Sequence, residues 1–538
     1  MRTGLGVLVN NKIPQQPRDA PSYTDSPPPS WGSARRRSMS GTSRRVLVLG
    51  LDGGTFDLLD PLMEAGELPF LRSLAARGVR APLRSVYPAK TIPAWYSFAT
   101  GRDPGELGVF GFAEPAGDPS SSRLVRSFRP MEAFWDRLSR RGVKVGVMNF
   151  PVLAGYPLHG FVLPGMLADT SVTYPANLRA EVEEGLGVRY PGELPAFRDA
   201  DRDAWVAEAT DAVQRRAKAA ALLSERHRPG FLFALLRETD RIEHQLWTEL
   251  ARPVAEIPSD LRRFWRTVDT ACAEIDRAFR AAGGPAVTLV ISDHGHGAVR
   301  SDFLTNRWLE KERLLFFRAA PRQLTVRNAA VRLALAAQRV PYGARLTQRL
   351  ADWLRDGRHA EVGRWLDGAS FEQSSRQIDW RKTVAFSYPV PEGIYLNPFN
   401  PELTPARRAD VLADIRRRLE AFREAKIEVL QPEEIYRGRN LAKAPALLIR
   451  IDGMETEPRM DFSYPEPLIR DRPSYFYGCG THRMNGILIG AGDGVVAGRS
   501  LGTQTLLDLA PTILETMGVP PPDALPGRSF ASALGPAA

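Results

Sequence analysis

Apolar positions along this chain of 538 residues fall into short, largely unbroken runs separated by longer stretches with helical spacing. The runs Val46–Leu49, Val143–Met148, Phe231–Leu236, Ala286–Ile291 and Ile487–Ile489 have the length of strands. Their lack of polar alternation predicts strands buried on both faces. Between them, apolar residues three and four apart predict helices starting near Phe56 and covering Leu68–Arg77, Met131–Arg141, Asp201–Arg226 and Leu261–Ala282. Strand and helix alternating in this way predict an α/β fold, with a mostly parallel central sheet sandwiched by helices.

From about Asn306 to Tyr475 the pattern changes. Arg-rich helical stretches at Gln323–Arg355 and Pro405–Glu424 enclose a β-like stretch, Thr383–Asn397. Single cores rarely grow beyond roughly 250–300 residues, so residues 306–475 read as a mainly helical inserted cap, set between catalytic parts at 44–305 and 476–538. Residues Met1–Ser43 are rich in Pro, Ser and Arg and are expected to be disordered; Met39 offers an alternative start. No repeat of solenoid period is present.

The net charge of +10 arises from arginines scattered along the chain, with clusters at Arg35–Arg37, Arg140-Arg141 and Arg416–Arg418. Such clusters are solvated faces that also steer an anionic substrate, and no stable nucleic-acid complex is expected. Cys272 and Cys479 stand too far apart in sequence to indicate a disulfide framework or a thiolate metal site, which favours a reducing, cytoplasmic setting. No stretch approaches the roughly 18 apolar residues of a membrane span, and the N-terminus lacks the order of a secretory signal.

Candidate chemistry gathers where apolar runs end. Asp293-His294 follows Ala286–Ile291, and Asp52 with Gly53-Gly54 follows the first run, at strand ends where open α/β sheets place their sites. Asp240 and His244 follow Phe231–Leu236; on a helix, residues four apart share a face and can grip one ion. His482 precedes Ile487–Ile489. Thr91, in Tyr87-Pro88-Ala89-Lys90-Thr91-Ile92-Pro93, is expected at or just before a helix N-terminus that ends at Gly101, where free N–H groups favour an anion.

Taken in order, Asp52, Thr91, Asp240 with His244, Asp293 with His294, and His482 resemble the alkaline phosphatase superfamily, most closely its type I phosphodiesterase and nucleotide pyrophosphatase branch. The resemblance spans most of Arg44 to Ser532, including Leu507–Leu514 and Pro526-Gly527-Arg528. It implies one metal held by Asp240, His244 and His482, a second held by Asp52, Asp293 and His294, and Thr91 as nucleophile between them. It also implies that the insertion carries substrate-selecting elements. Asp379–Thr383 and Gly393–Asn397 look like segments of a predicted phosphodiesterase subgroup.

A threonine hydroxyl needs a base or a cation to become a nucleophile at neutral pH. Two divalent ions about 4 Å apart can meet both the attacking and leaving oxygens of an in-line displacement at phosphorus. Mixed carboxylate and imidazole ligands make Zn²⁺ the first choice, with Mn²⁺ or Fe²⁺ as alternatives. The branch carries an asparagine shortly beyond its nucleophile, yet Ile92–Phe112 contains none, leaving the phosphoryl-binding group unassigned. Asn149 and Lys90 are the substrate-binding candidates, each with a plain alternative as turn former and solvated lysine. His296 matches no ligand position and reads as lying behind the ligands.

The leading function is a two-metal phosphoester hydrolase, phosphodiesterase or nucleotide pyrophosphatase-like, with a covalent phospho-threonine intermediate, acting on a phosphorylated small molecule such as a nucleotide. Alternatives on the same fold are a phosphomonoesterase and a phosphoryl transferase or mutase; a non-catalytic basic binding protein stands further off. A sulfatase is disfavoured, because no Cys or Ser begins a Cys/Ser-x-Pro-x-Arg segment at the nucleophile position.

Overall fold

The computed structural model describes residues 44–117, 119, 121–125, 131–318, 375, 377–460, 468–471 and 478–535. The expectations for residues 1–43 and for a helix over 323–355 lie outside the described residues.

A nine-stranded sheet organises the catalytic part. Its strands are β1 (Arg45–Leu51), β2 (Val79–Arg84), β3 (Val145–Met148), β4 (Gly160–Leu163), β5 (Phe231–Leu236), β6 (Ala286–Ile291), β16 (Asn485–Gly492), β17 (Arg499–Ser500) and β18 (Gln504–Thr505). The order is β17-β2-β16-β6-β1-β5-β3-β4, with β18 also paired to β2. Strands β4, β3, β5, β1 and β6 are mutually parallel, while β16 enters antiparallel between β6 and β2. The expected α/β arrangement, a mostly parallel central sheet sandwiched by helices, is therefore what the chain adopts.

Strand β1 shows why the sheet lies inside. Val46 and Val48 join the core on one face, and Leu47, Leu49 and Leu51 the core on the other, because successive strand side chains alternate. One face is covered by α1 (Phe56–Glu64), α2 (Pro69–Ala76), α5 (Arg202–His227), α6 (Glu238–Leu250) and α7 (Ser259–Ala281). The other is covered by α3 (Thr91–Thr100), α4 (Phe134–Arg140) and α9 (Leu506–Thr516). Fully burying a Val, Leu or Ile stabilises by about 1.5–3 kcal/mol, so the central strands hold whatever follows them in fixed places. Helix α4 starts later than the sequence predicts, because the Asp136 carboxylate accepts from Ala133 N at 3.0 Å and makes Ala133 its N-cap.

Residues 306–475, with Ser301–Leu304 just before them, carry a second sheet besides the expected helix near Pro405–Glu424. Strands β8 (Ser301–Leu304), β9 (Ala385–Phe386), β10 (Gly393–Leu396), β11 (Ile427–Leu430), β12 (Leu447–Ile451), β13 (Thr456–Arg459) and β14 (Ile469–Asp471) form a second sheet. Its order is β9-β10-β12-β13-β8-β14, with β11 on β12. The β-like stretch Thr383–Asn397 supplies β9 and β10. Helix α8 (Pro405–Glu420) packs Ile415 and Leu419 into the core of this sheet, beside Phe303, Ile394 and Ile449. Two further strands, β7 (Gly295–Ala298) and β15 (Gly480–Arg483), form a separate antiparallel ribbon. No helix among the described residues is long and apolar enough to cross a membrane.

Candidate metal centre

Strands β6, β1 and β5 lie side by side and run parallel, so their C-terminal ends share one edge of the sheet. Asp52 follows β1, Asp293 and His294 follow β6, and α6 begins two residues after β5. Thr239 ties that helix start to the edge: its hydroxyl lies 2.6 Å from the Asp52 carbonyl and 3.0 Å from the Leu236 carbonyl. One turn of α6 then sets Asp240 and His244 on the same face. His482 arrives on β15, directly opposite His296 of β7.

Two groups of ligand-type side chains result: Asp240, His244, His296 and His482, and Asp52, Asp293 and His294. Within each group one ligand atom per residue lies within 4.8 Å of the others. All six metal-ligand candidates from the sequence are thus brought together, in the two sets the resemblance implied. The first set gains His296, which the sequence placed behind the ligands.

The imidazoles of the first group are aimed by the backbone. His244 Nδ1 is 2.9 Å from the Gly480 carbonyl and His482 Nδ1 is 2.6 Å from the Ala89 carbonyl. A carbonyl can only accept, so both Nδ1 atoms donate and both Nε2 atoms keep a lone pair. Those two Nε2 atoms lie 2.9 Å apart, with Asp240 Oδ1 at 3.3 and 3.5 Å from them. Metal–ligand bonds of about 2.0–2.2 Å place neighbouring ligand atoms of a tetrahedron about 3.3–3.6 Å apart. Two of the three spacings fall in that range and the third is tighter, so the converging acceptor atoms fit a cation.

The second group obeys the same logic. His294 Nδ1 is 3.2 Å from the Gly295 carbonyl, while its Nε2 faces Asp293 Oδ2 at 3.2 Å and Asp52 Oδ1 at 3.8 Å. The outer carboxylate oxygens are held, since Trp95 Nε1 donates to Asp52 Oδ2 and Gly53 N to Asp293 Oδ1, each at 3.2 Å. The inner atoms, Asp52 Oδ1, Asp293 Oδ2, His294 Nε2 and also Asp240 Oδ1, are buried without a hydrogen-bond partner among the described residues. Orphaned buried charges of this kind are costly unless a cation joins them. The rings of His294 and His482 stack with centroids 3.7 Å apart, so one ligand from each group touches the other.

As protein groups alone, the carboxylates resist ionising together. Burial and then the charge of Asp240 push Asp52 up to about 8, and burial with the charge of Asp52 holds Asp293 well above its usual range. Burial also works against Asp240, but His244 and His482 outweigh it and hold that carboxyl well below its usual range. Burial followed by the charge of His482 keeps His294 neutral. A divalent cation reverses this conflict, because it favours every carboxylate as an anion and every imidazole as a neutral donor.

His296, the fourth member of the first group, has its Nδ1 3.3 Å from Glu243 Oε2 and 3.9 Å from Asp240 Oδ1, all three side chains buried. Gly53 makes room for them: at φ +74° it occupies the left-handed region that favours glycine. A Cβ there would sit 2.7 Å from Glu243 Oε2 and 2.8 Å from His296 Nδ1. The sequence reading passed over Glu243. Its spacing of three from Asp240 is a signal that places it on the same helical side.

Thr91 is the first residue of α3, and Lys90 occupies the N-cap position without a side-chain capping bond; Thr91 is therefore not the cap. Gly101, left-handed at φ 67°, closes the helix as expected. The start of α3 is bound to both groups, through Ala89 to His482 and, one turn beyond Thr91, through Trp95 to Asp52. Lys90 Nζ pairs with Glu392 Oε1 at 2.8 Å. Asn149 follows β3, and its hydrogen bonds lead elsewhere. Its amide donates to the Leu235 carbonyl at 3.0 Å and accepts from the Tyr190 hydroxyl at 2.6 Å and from Arg216 at 3.1 Å. The residue has φ 61°, as a turn former does, and is not drawn into either ligand group.

Comparison with known proteins identifies the family of the chain. Residues 46–449 match the model of the family described as type I phosphodiesterase / nucleotide pyrophosphatase. No curated protein matches in sequence. Similar solved structures include phosphonoacetate hydrolase from Sinorhizobium meliloti 1021 in complex with phosphonoformate, at 13% identity and TM-score 0.49, over 89% of this chain and 95% of that one. Another is an inactive form of murine ectonucleotide pyrophosphatase / phosphodiesterase 5 in complex with AMP, at 14% identity and TM-score 0.49, over 91% and 98%. With three-quarters of the chain covered by one family model, the protein belongs to the type I phosphodiesterase / nucleotide pyrophosphatase family of metal-dependent phosphoester hydrolases.

Proposed function

We propose that the protein hydrolyses a phosphodiester or a nucleotide-type pyrophosphate bond in a small molecule, with the Thr91 hydroxyl as nucleophile and two divalent ions, zinc first, as cofactors. The observation that carries this reading is the pair of converging ligand sets joined through Ala89 and Trp95 to the segment around Thr91. Asp240, His244 and His482 would hold one ion, and Asp52, Asp293 and His294 the other. Bound there, the ions supply Lewis-acid charge that eases deprotonation of a hydroxyl and neutralises phosphoryl oxygens.

The protein's own part is placement. The free N–H groups at the start of α3 favour an anion beside Thr91, and the buried setting keeps bulk water from screening it. The Thr91 oxygen forms a bond to phosphorus as the bond to the leaving-group oxygen breaks. Water then forms the second bond to phosphorus and releases the threonine oxygen. Each displacement inverts the centre, so a diester chiral at phosphorus, hydrolysed by metal-loaded protein, should give product with net retention. Net inversion would show direct attack by water. The reducing, cytoplasmic setting belongs to the same proposal, with Cys272 and Cys479 both free thiols.

A further inference from the structure

Lys90 is held by a residue from the second sheet. Its ammonium lies 2.8 Å from Glu392 Oε1, and both side chains are largely buried. Together with Tyr87, Thr456, Thr481 and His482 they line a recess of about 20 Å³ beside the first ligand group. Glu392 lies in the turn leading into β10, and its carbonyl accepts from Ile449 N of β12 at 2.8 Å, so a rigid element delivers the carboxylate. The second oxygen, Oε2, is buried without a hydrogen-bond partner among the described residues. Burial works against the lysine charge, yet Glu392 and then Glu457 raise Lys90 above its ordinary value.

We propose that Glu392 is a specificity-determining residue: by pairing with Lys90 it cancels the positive charge that would otherwise meet the second negative charge of a phosphomonoester. The inference rests on the phosphoester reading above. A phosphomonoester carries about −1.5 to −2 charges at pH 7, whereas a diester carries one. A close ion pair has no net charge, so a dianion gains little by approaching it; an uncompensated ammonium in the same buried place attracts the dianion more than the monoanion.

Four metal-loaded proteins test this: wild type, Glu392→Gln, Lys90→Met and the double variant. For each, kcat/KM is measured with p-nitrophenyl phosphate and with bis-p-nitrophenyl phosphate, and the affinity for inorganic phosphate is measured by calorimetry. The monoester-to-diester ratio should rise by about tenfold in Glu392→Gln, where the lysine charge is exposed. It should fall in Lys90→Met, where the carboxylate is exposed, and return near the wild-type value in the double variant. A pair that only ties the second sheet to the start of α3 would weaken both substrates together, and an unchanged ratio across the set overturns the proposal. Should wild type turn over neither ester, the phosphoester reading falls by itself. The phosphate affinities, expected in the same order, then decide the role of Glu392, and equal affinities overturn it.

Discussion

His244 and His482 each give one ring nitrogen to a backbone carbonyl, and the chemistry of the site follows from the nitrogen left over. Such bonds behind ligands set both aim and basicity, and losing one typically costs 10–100-fold in metal affinity or activity. Trp95 plays this part for Asp52. Trp95→Phe keeps the ring packing and removes the N–H, so metal competition with a chelator should show the second ion bound about 10–100-fold more weakly while the first is unchanged. Thr91→Ala should nearly abolish turnover and keep both ions by elemental analysis. Thr91→Ser should keep part of the activity, since only a methyl that restricts χ1 is lost. An active Thr91→Ala protein would move the nucleophile elsewhere. Most of this site was legible in the sequence, because Asp52, Asp240 and Asp293 each follow a strong apolar run. The bonds that aim the ligands were not: Ala89 to His482 and Trp95 to Asp52 connect residues far apart in the chain, and nothing local records them.

At the level of elements, parallel strands were easier to read than the second sheet. Apart from Arg45 and Thr288, strands β1, β5 and β6 are apolar and buried on both faces. Strands β11 and β13 are four residues long with alternate positions half exposed, too few alternations to distinguish from coil. The two sheets meet along specific bonds rather than broad apolar contact alone. Asp103 caps the short helix Pro104–Leu107 by accepting from Gly105 N at 2.7 Å and Glu106 N at 3.2 Å. Its other oxygen accepts from Arg437 N at 3.0 Å, in the region that carries the second sheet. Asp103→Ala removes a cap and leaves a buried donor unpaired, which should lower stability by about 2 kcal/mol in a urea melt. An unchanged midpoint would show that water replaces all three bonds.

Across the whole molecule, metal bound at the two proposed sites would make site and fold one cooperative object. Three buried carboxylates crowd one edge of the sheet, so removing cations leaves their charge uncompensated where the central strands end. Elemental analysis should find two equivalents of metal in wild type. Asp240→Ala should lose one preferentially and Asp293→Ala the other, and chelation should lower Tm by several degrees, reversed by zinc. A ligand present at 1,000 times its Kd stabilises by about 4 kcal/mol, enough to register in a thermal scan. A Tm indifferent to chelator and zinc would separate these residues from metal binding.

The place of β16 also bears on how a cell makes this protein. The strand lies between β6 and β2, so a growing chain that has completed Ile291 has one edge of β6 and both edges of β2 without their partner strands until Asn485 and the strands after it appear. At about 5–20 residues per second that interval lasts roughly 10–40 s, and open edges invite pairing with other chains. Asp52, Asp293 and His294 have been translated long before His482. The two proposed ligand sets are therefore completed in order: one has its ligands early, and the other waits for His482 to be translated.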